Sequence, residues 1–263
     1  MKKCVLVAVV FSTLLLSGCL AVADLTGNDT QSLNEKAAKS YAQVVGTAYS
    51  KGVLDTTSET SIRVHEIFNN LKPYAEAQNK TGIRFNWEMN VIRSDELNAW
   101  AMPGGKMAVY TGLVEKLNLT DAEIAAVIGH EMTHALHEHS KKDAGQKVIT
   151  SVATSVVGSV ASSVTGVNLS SITSIAANIG VDKPFSRSQE NDADKGGLEL
   201  MAQAGYNPEA AISVWQKMNN ANNNNNAVLG ILSTHPTNNA RMESVRKELP
   251  RVMQIYQASP VKH

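Results

Sequence analysis

The stretch Leu119-Thr-Asp-Ala-Glu-Ile-Ala-Ala-Val-Ile-Gly-His-Glu-Met-Thr-His134 reads as one amphipathic helix with its own start signal. Thr120 and Glu123 form the S/T-x-x-E pattern in which each side chain caps the other's backbone N–H. Ile124, Val127 and Ile128 recur at helical spacing and predict a buried face. Within this helix His130, Glu131 and His134 spell H-E-x-x-H. Residues four apart stack on one helical face, so His130 and His134 can aim two imidazoles at one point. Glu131 lies about 100° round the helix, placed to reach a metal-bound water without being a ligand. Two neutral imidazoles suit zinc, and an adjacent carboxylate can take a proton from the water.

Two more histidines follow. His137 falls on the face of His130 but about 10 Å further along the axis, too far to share one ion. His139, nine residues after His130, is expected on roughly the opposite face. The longer H-E-x-x-H-x-x-G-x-x-H pattern is not met. Both histidines are therefore expected to be structural or helix-end residues suited to the negative end of the dipole. The third ligand must come from elsewhere.

The chain has 263 residues, a formal net charge of zero and 5% aromatic residues. That length gives one good-sized core, or one domain plus an anchor. No basic stripe points to nucleic acid, and scarce aromatics argue against a sugar- or base-stacking module. Lys2 and Lys3, then the apolar run Cys4 to Leu16, have the form of a secretory signal. Leu16-Ser17-Gly18-Cys19 resembles the bacterial lipobox. The expectation is that residues 1–18 are a removed signal peptide, that Cys19 is acylated (palmitate included) and that 19–33 form a short tether. Leu20 is not Asp, which by analogy with enterobacterial sorting favours the outer membrane over the inner. Cys4 and Cys19 are the only cysteines, so the mature chain would have neither a disulfide nor a thiolate ligand. A zinc site must then be built from His, Asp and Glu.

Along the rest of the chain, helices are expected from about Ser32 to Ser50 and from Ser58 to Leu71, the second bent or ended by Pro73. Phe85–Ile92, Asn98–Met102 and Lys106–Tyr110 read as strands. Pro103-Gly104-Gly105 turns the last two into a hairpin that Thr111-Gly112 ends. An edge strand beside the metal helix could pair with an extended peptide, or could merely cover the core. Val148 to Val181 contains no charged residue but is punctuated by Ser, Thr and Gly. It reads either as a helical hairpin beside the cleft or as a membrane- or partner-binding arm. Ser186 and Gln189 make a second capping box, putting Glu190 and Asp194 in the first turns of the next helix. Asn219 to Asn226 reads as a flexible loop. The final helix is expected to stop at Pro250, leaving 251–263 as a tail.

Taken together, Asn98-Ala-Trp-Ala-Met-Pro-Gly-Gly105, His130-Glu-Met-Thr-His134, Ser186-Arg-x-x-Glu190-x-x-Ala-Asp194 and His235-Pro…Arg241 resemble the gluzincins of metallopeptidase family forty-eight. That is the family of HtpX and the CAAX prenyl proteases, and the nearer likeness is to its LoiP-like bacterial lipoprotein branch. The resemblance runs from about residue 60 to 248. It implies an α+β fold, mostly helical, with a small antiparallel sheet beside the metal helix, over a metallopeptidase domain of residues 34–250. It implies one Zn2+ per chain held by His130, His134 and Glu190, with Asp194 orienting a ligand imidazole and Glu131 as general base. His235 and Arg241 would lie near the cleft. His235 is either an oxyanion donor or a fourth zinc ligand at rest, Arg241 is either a donor or a partner of a nearby carboxylate, and His-Pro could be no more than a turn. Asn98, Ala99, Trp100 and Ala101 would be the strand that meets substrate. Many relatives cross the membrane with apolar helices, for which Val148–Val181 is too polar.

The implied activity is hydrolysis of peptide bonds in unfolded or misassembled envelope proteins, by a lipid-anchored, periplasm-facing enzyme. Two other readings are a lipid-anchored chaperone-like factor with little proteolysis and a zinc hydrolase of cell-wall amides.

Overall fold

The computed structural model describes residues 18–157, 184–224, 230–236 and 239–263. Asp29 opens the first long helix by accepting the Ser32 backbone N–H, and α1 runs Thr30–Ser50. There follow β1 (Leu54–Asp55), α2 (Glu59–Gln78), β2 (Glu88–Ile92), β3 (Ala99–Met102), β4 (Lys106–Tyr110), α3 (Thr111–Lys116) and α4 (Asp121–Leu136). Next are α5 (His139–Val157), α6 (Arg187–Gln203), α7 (Ala210–Asn224), the single turn α8 (Ile231–Thr234) and α9 (Asn239–Ala258). The α+β, mostly helical expectation holds.

The sheet has the order β1-β2-β4-β3. β3 and β4 form the expected antiparallel hairpin, turned by Gly104 and Gly105 at φ +75° and +79°, where only glycine is unstrained. β2, however, pairs parallel with β4, so the sheet is mixed rather than antiparallel. The two-residue β1, unforeseen in the sequence, adds an antiparallel edge against β2. The sheet is buried on both faces, which explains why β4 carries no polar alternation. On one face α1 packs Ala37, Tyr41, Val44 and Ala48 against Trp100, Ala108 and Tyr110. The Tyr41 hydroxyl donates to the Met107 carbonyl at 2.8 Å. The other face meets the main core of α2, α4, α6, α7 and α9.

α4 is the centre of that core. Every residue from Glu123 to Leu136 is buried, so the helix is enclosed rather than amphipathic. Even its capping Glu123 is covered, paired with Lys217 at 2.7 Å and with the Ser213 hydroxyl. Both capping boxes are present, at Thr120/Glu123 and at Ser186/Gln189. α6 lies against α4 at a contact between glycines. A Cβ on Gly197 would sit 2.7 Å from the His130 backbone nitrogen, and one on Gly129 would sit 2.9 Å from the Gly197 carbonyl oxygen. Backbone meets backbone, and no side chain can yield. Gly197→Ala is thus expected to destabilise the fold by about 1–3 kcal/mol and to lower metal retention, because α6 carries Glu190. Thermal unfolding with metal analysis checks this. An unchanged Tm would mean the two helices separate freely.

Several expectations need correction. α2 continues through Pro73 to Gln78, and α9 through Pro250 to Ala258. A lost hydrogen bond is offset in each case by buried residues beyond the proline, Ala75 in α2 and Val252 in α9. The segment 251–263 is no loose tail, since the His263 N–H donates to the Gly205 carbonyl and its ring stacks on Tyr206 at 4.5 Å. Residues 18–25 are helical rather than a free tether, with Ala23 fully buried. Asn219–Asn224 belong to α7, so the loop reading fails there, and 225–226 lie outside the described residues. Thr111-Gly112 opens α3 directly. The uncharged segment is helical to Val157, and its remainder, like residues 1–17 of the signal reading, lies outside the described residues.

Candidate metal centre

α4, α6 and the His235-Pro236 segment after α8 converge on one buried cluster. His130 and His134 bring their Nε2 atoms to 3.0 Å of each other. Glu190 reaches both, with Oε2 at 3.6 Å from His130 Nε2 and Oε1 at 3.5 Å from His134 Nε2. His235 completes the set, its Nδ1 at 3.2 Å from His130 Nε2 and 2.9 Å from Glu190 Oε1. All four residues are buried. Bonds of about 2.1 Å to a tetrahedral ion set ligand atoms about 3.4 Å apart, close to these separations. Glu190 Oε2 is also a buried oxygen without an aligned hydrogen bond, although Arg241 Nη1 lies close to it. Nitrogen and oxygen lone pairs crowded at this spacing fit a cation at their centre, so the residues suit a metal ion.

The surroundings fix each ring. His130 Nδ1 lies 3.0 Å from Asp194 Oδ1, which places the hydrogen on Nδ1 and leaves Nε2 free to ligate. His134 stacks on Phe185 with centroids 4.0 Å apart and meets His139 Nδ1 through its own Nδ1 at 2.8 Å. Trp215 contacts the His130 ring edge-on at 5.3 Å. Arg241 forks onto Asp194, Nε to Oδ2 at 2.6 Å and Nη2 to Oδ1 at 2.8 Å, and donates through Nη1 to the carbonyls of His235 and Pro236. Arg241 is buried, with its donors directed at these acceptors.

Electrostatics follow from burial and charge. Burial pushes the pKa of His134 well below the imidazole range, leaving it neutral as a ligand must be. Burial alone would raise Glu190, but His235 and the hydrogen bonds from His134 and His235 hold it well below the carboxylate range. Asp194 is likewise opposed by burial yet lowered, chiefly by Arg241. His235 is disfavoured as a cation by burial, and the carboxylates of Glu131 and Glu190 outweigh that and raise it. Glu131, fully enclosed, is raised by burial despite His235 and His130. A basic carboxylate is what proton abstraction near neutrality needs. Its carboxylate accepts the Ala101 backbone N–H, while Oε1 has no hydrogen-bond partner and lies 3.3 Å from His235 Nε2.

That Ala101 contact ties the site to β3. The carbonyls of Asn98 and Met102 accept from Tyr110 and Gly105, so Asn98, Trp100 and Met102 turn their main chain toward β4. By alternation Ala99 and Ala101 turn theirs to the open edge beside α4. Of the four strand residues singled out in the sequence, these two face the cluster through their backbone. The Trp100 side chain instead packs under α1.

His139 was misplaced by sequence reasoning. A continuous helix would carry it to the far side, but α4 ends at Leu136, His137 caps it, and Glu138 adopts φ +51°. That left-handed residue folds the chain back and sets His139 behind His134. Phe185 and Trp215 were missed as well. Phe185, immediately before the Ser186 cap, had a local signal as the apolar residue preceding an N-cap, whereas Trp215 had none. Cys19 lies apart from the cluster, its Sγ 3.2 Å from Gln146 Oε1 on α5.

The sequence pattern of Peptidase family M48 matches residues 58–249. Mitochondrial metalloendopeptidase OMA1 of Schizosaccharomyces pombe is 32% identical over 67% of this chain and 51% of its own length, so the chain spans about half of that relative. Metalloprotease LoiP of Escherichia coli is 28% identical over 60% of this chain and 61% of its own. Metalloprotease YcaL of the same bacterium is 23% identical over 93% of this chain and 96% of its own.

Proposed function

The chain belongs to peptidase family M48, and from that premise we propose that it is a zinc-dependent endopeptidase acting on unfolded or misassembled proteins of the bacterial envelope. The observation that carries the reading is the convergence of His130, His134, Glu190 and His235 with the Glu131 carboxylate alongside. A sulfur-free set of imidazoles and one carboxylate suits zinc, which supplies Lewis acidity toward a carbonyl and lowers the pKa of a bound water.

The residues divide the remaining work. Glu131 takes the proton of the attacking water and returns it to the leaving amine. Asp194 keeps His130 in the ligating tautomer, and Arg241 keeps Asp194 ionised. The outward main chain of Ala99 and the carbonyl of Ala101, whose N–H is held by Glu131, accept an extended peptide as an added strand. The test is cleavage of an unfolded protein such as casein, set beside peptidoglycan. Chelation is expected to abolish casein cleavage, and about one equivalent of zinc to restore it. Casein cleavage that survives metal removal would overturn the proposal, and cleavage of peptidoglycan alone would favour the cell-wall reading. The intact Glu131 argues against a factor that only binds.

His235 occupies the position that water and substrate would need, which supports its role as a resting ligand that must withdraw. His235→Ala is therefore expected to raise cleavage while weakening zinc retention. A large fall in kcat with zinc still bound would instead make His235 an oxyanion donor.

Among the described residues no helix is long and apolar enough to cross a membrane. Attachment is proposed to run through acylated Cys19, a free and partly exposed thiol. Cys19→Ala should move the protein out of the membrane fraction. An unchanged partition would remove the anchor, and with it the placement at the outer membrane.

A further inference from the structure

We propose that His137, His139 and Asp192 form a second divalent-metal site that adjoins the catalytic one and opposes it. The three residues offer ligand atoms within 4.8 Å of one another. They come from both sides of the left-handed Glu138 and from α6, where Asp192 lies two residues beyond Glu190. The His137 and His139 rings stand at 82° with centroids 5.7 Å apart, so two nitrogens can face one point without stacking. Imidazole with carboxylate and no sulfur suits zinc, copper(II) or nickel(II) rather than calcium or magnesium.

The decisive atom is His139 Nε2. His139 is fully buried and its Nδ1 is engaged by His134, yet Nε2 has no hydrogen-bond partner. A buried ring nitrogen without a partner is costly, and a metal ion would satisfy it. His137 is exposed and Asp192 half-buried, so an ion can enter from solvent. Lys142 and Lys80 also bear on His137 and weaken the hold on a cation, with Asp192 acting against them. The site should thus bind less tightly than the one at His130, His134 and Glu190.

The antagonism rests on the zinc reading of that first site and on a single hydrogen. When His134 ligates through Nε2, its Nδ1 carries a hydrogen directed at His139 Nδ1. An ion on His139 Nε2 moves the His139 hydrogen to Nδ1 as well. Two N–H groups then face each other across 2.8 Å, and one ring must turn. Filling the outer site therefore loosens His134 from the inner ion.

The full chain, equilibrated with excess Zn2+ and freed of unbound metal, is expected to hold about two equivalents of zinc, and His137→Ala and Asp192→Asn about one each. Neither residue touches the inner donors, so both variants should cleave casein normally at limiting zinc. Excess zinc should inhibit the parent chain several-fold and spare both variants. One equivalent in the parent chain with active cleavage would overturn the second site alone. No bound zinc at all would overturn the catalytic reading with it. Two equivalents persisting in both variants would place the extra ion elsewhere and likewise overturn the proposal.

Discussion

Glu131→Gln is expected to keep about one equivalent of bound zinc and to slow proteolysis about a hundred- to ten-thousand-fold, the range associated with loss of a general base. The two halves of this result arise from different atoms. No donor of the metal cluster comes from Glu131, whose carboxylate meets the Ala101 N–H and His235 Nε2. Gln is nearly isosteric, can still accept from Ala101, and no longer presses like-charged oxygens toward Glu190, so folding and metal retention should be intact. What disappears is basicity. Burial holds the Glu131 pKa above its ordinary value, strengthening it as a proton acceptor, and an amide has no such capacity. Metal analysis with kcat and KM measured on casein decides the matter. If the fall appears wholly in KM, or zinc leaves together with activity, Glu131 is a binding or folding residue and not the base.

The side chains that can be read from sequence are those whose roles are set by local spacing. His130 and His134 share a face because helices repeat, and both α4 and α6 announce their starts through reciprocal capping. Glu190 is different. Nothing local separates a ligand from an acidic first turn, and only the ordered set of four motifs pointed to it. The backbone contact of Gly129 with Gly197 then brings it to the imidazoles. His139 was illegible because one left-handed residue, Glu138, cancels any extrapolation of helical phase. The parallel pairing of β2 with β4 was hidden for a similar reason, since a hairpin reading sees neighbours in sequence, and β4 inserts between β2 and β3. Pro73 and Pro250 misled because a local penalty was weighed without the distant core that Ala75 and Val252 help to build.

Arg241→Leu is expected to cost about 3–5 kcal/mol of stability in the metal-free chain, the usual result of stripping one partner from a buried ion pair. Arg241 is 4% exposed and lies against two carboxylates that are themselves 2% and 6% exposed, Glu190 and Asp194. Leucine fills part of the volume above Trp215 but leaves Asp194 without its cation and Glu190 with His235 alone. The loss should be smaller with zinc bound, because the ion then neutralises Glu190 and only Asp194 remains uncompensated. Arg241→Lys should fall between the two. Lysine restores a charge but cannot reproduce the fork of Nε and Nη2 onto the two oxygens of Asp194. Equilibrium denaturation of the three chains, with and without zinc, measures the series. A loss below about 1 kcal/mol in the metal-free leucine variant would put Arg241 among weak, solvent-screened pairs. Asp194 would then need another partner to hold His130, and the claim that Arg241 organises the metal ligands from behind would fail.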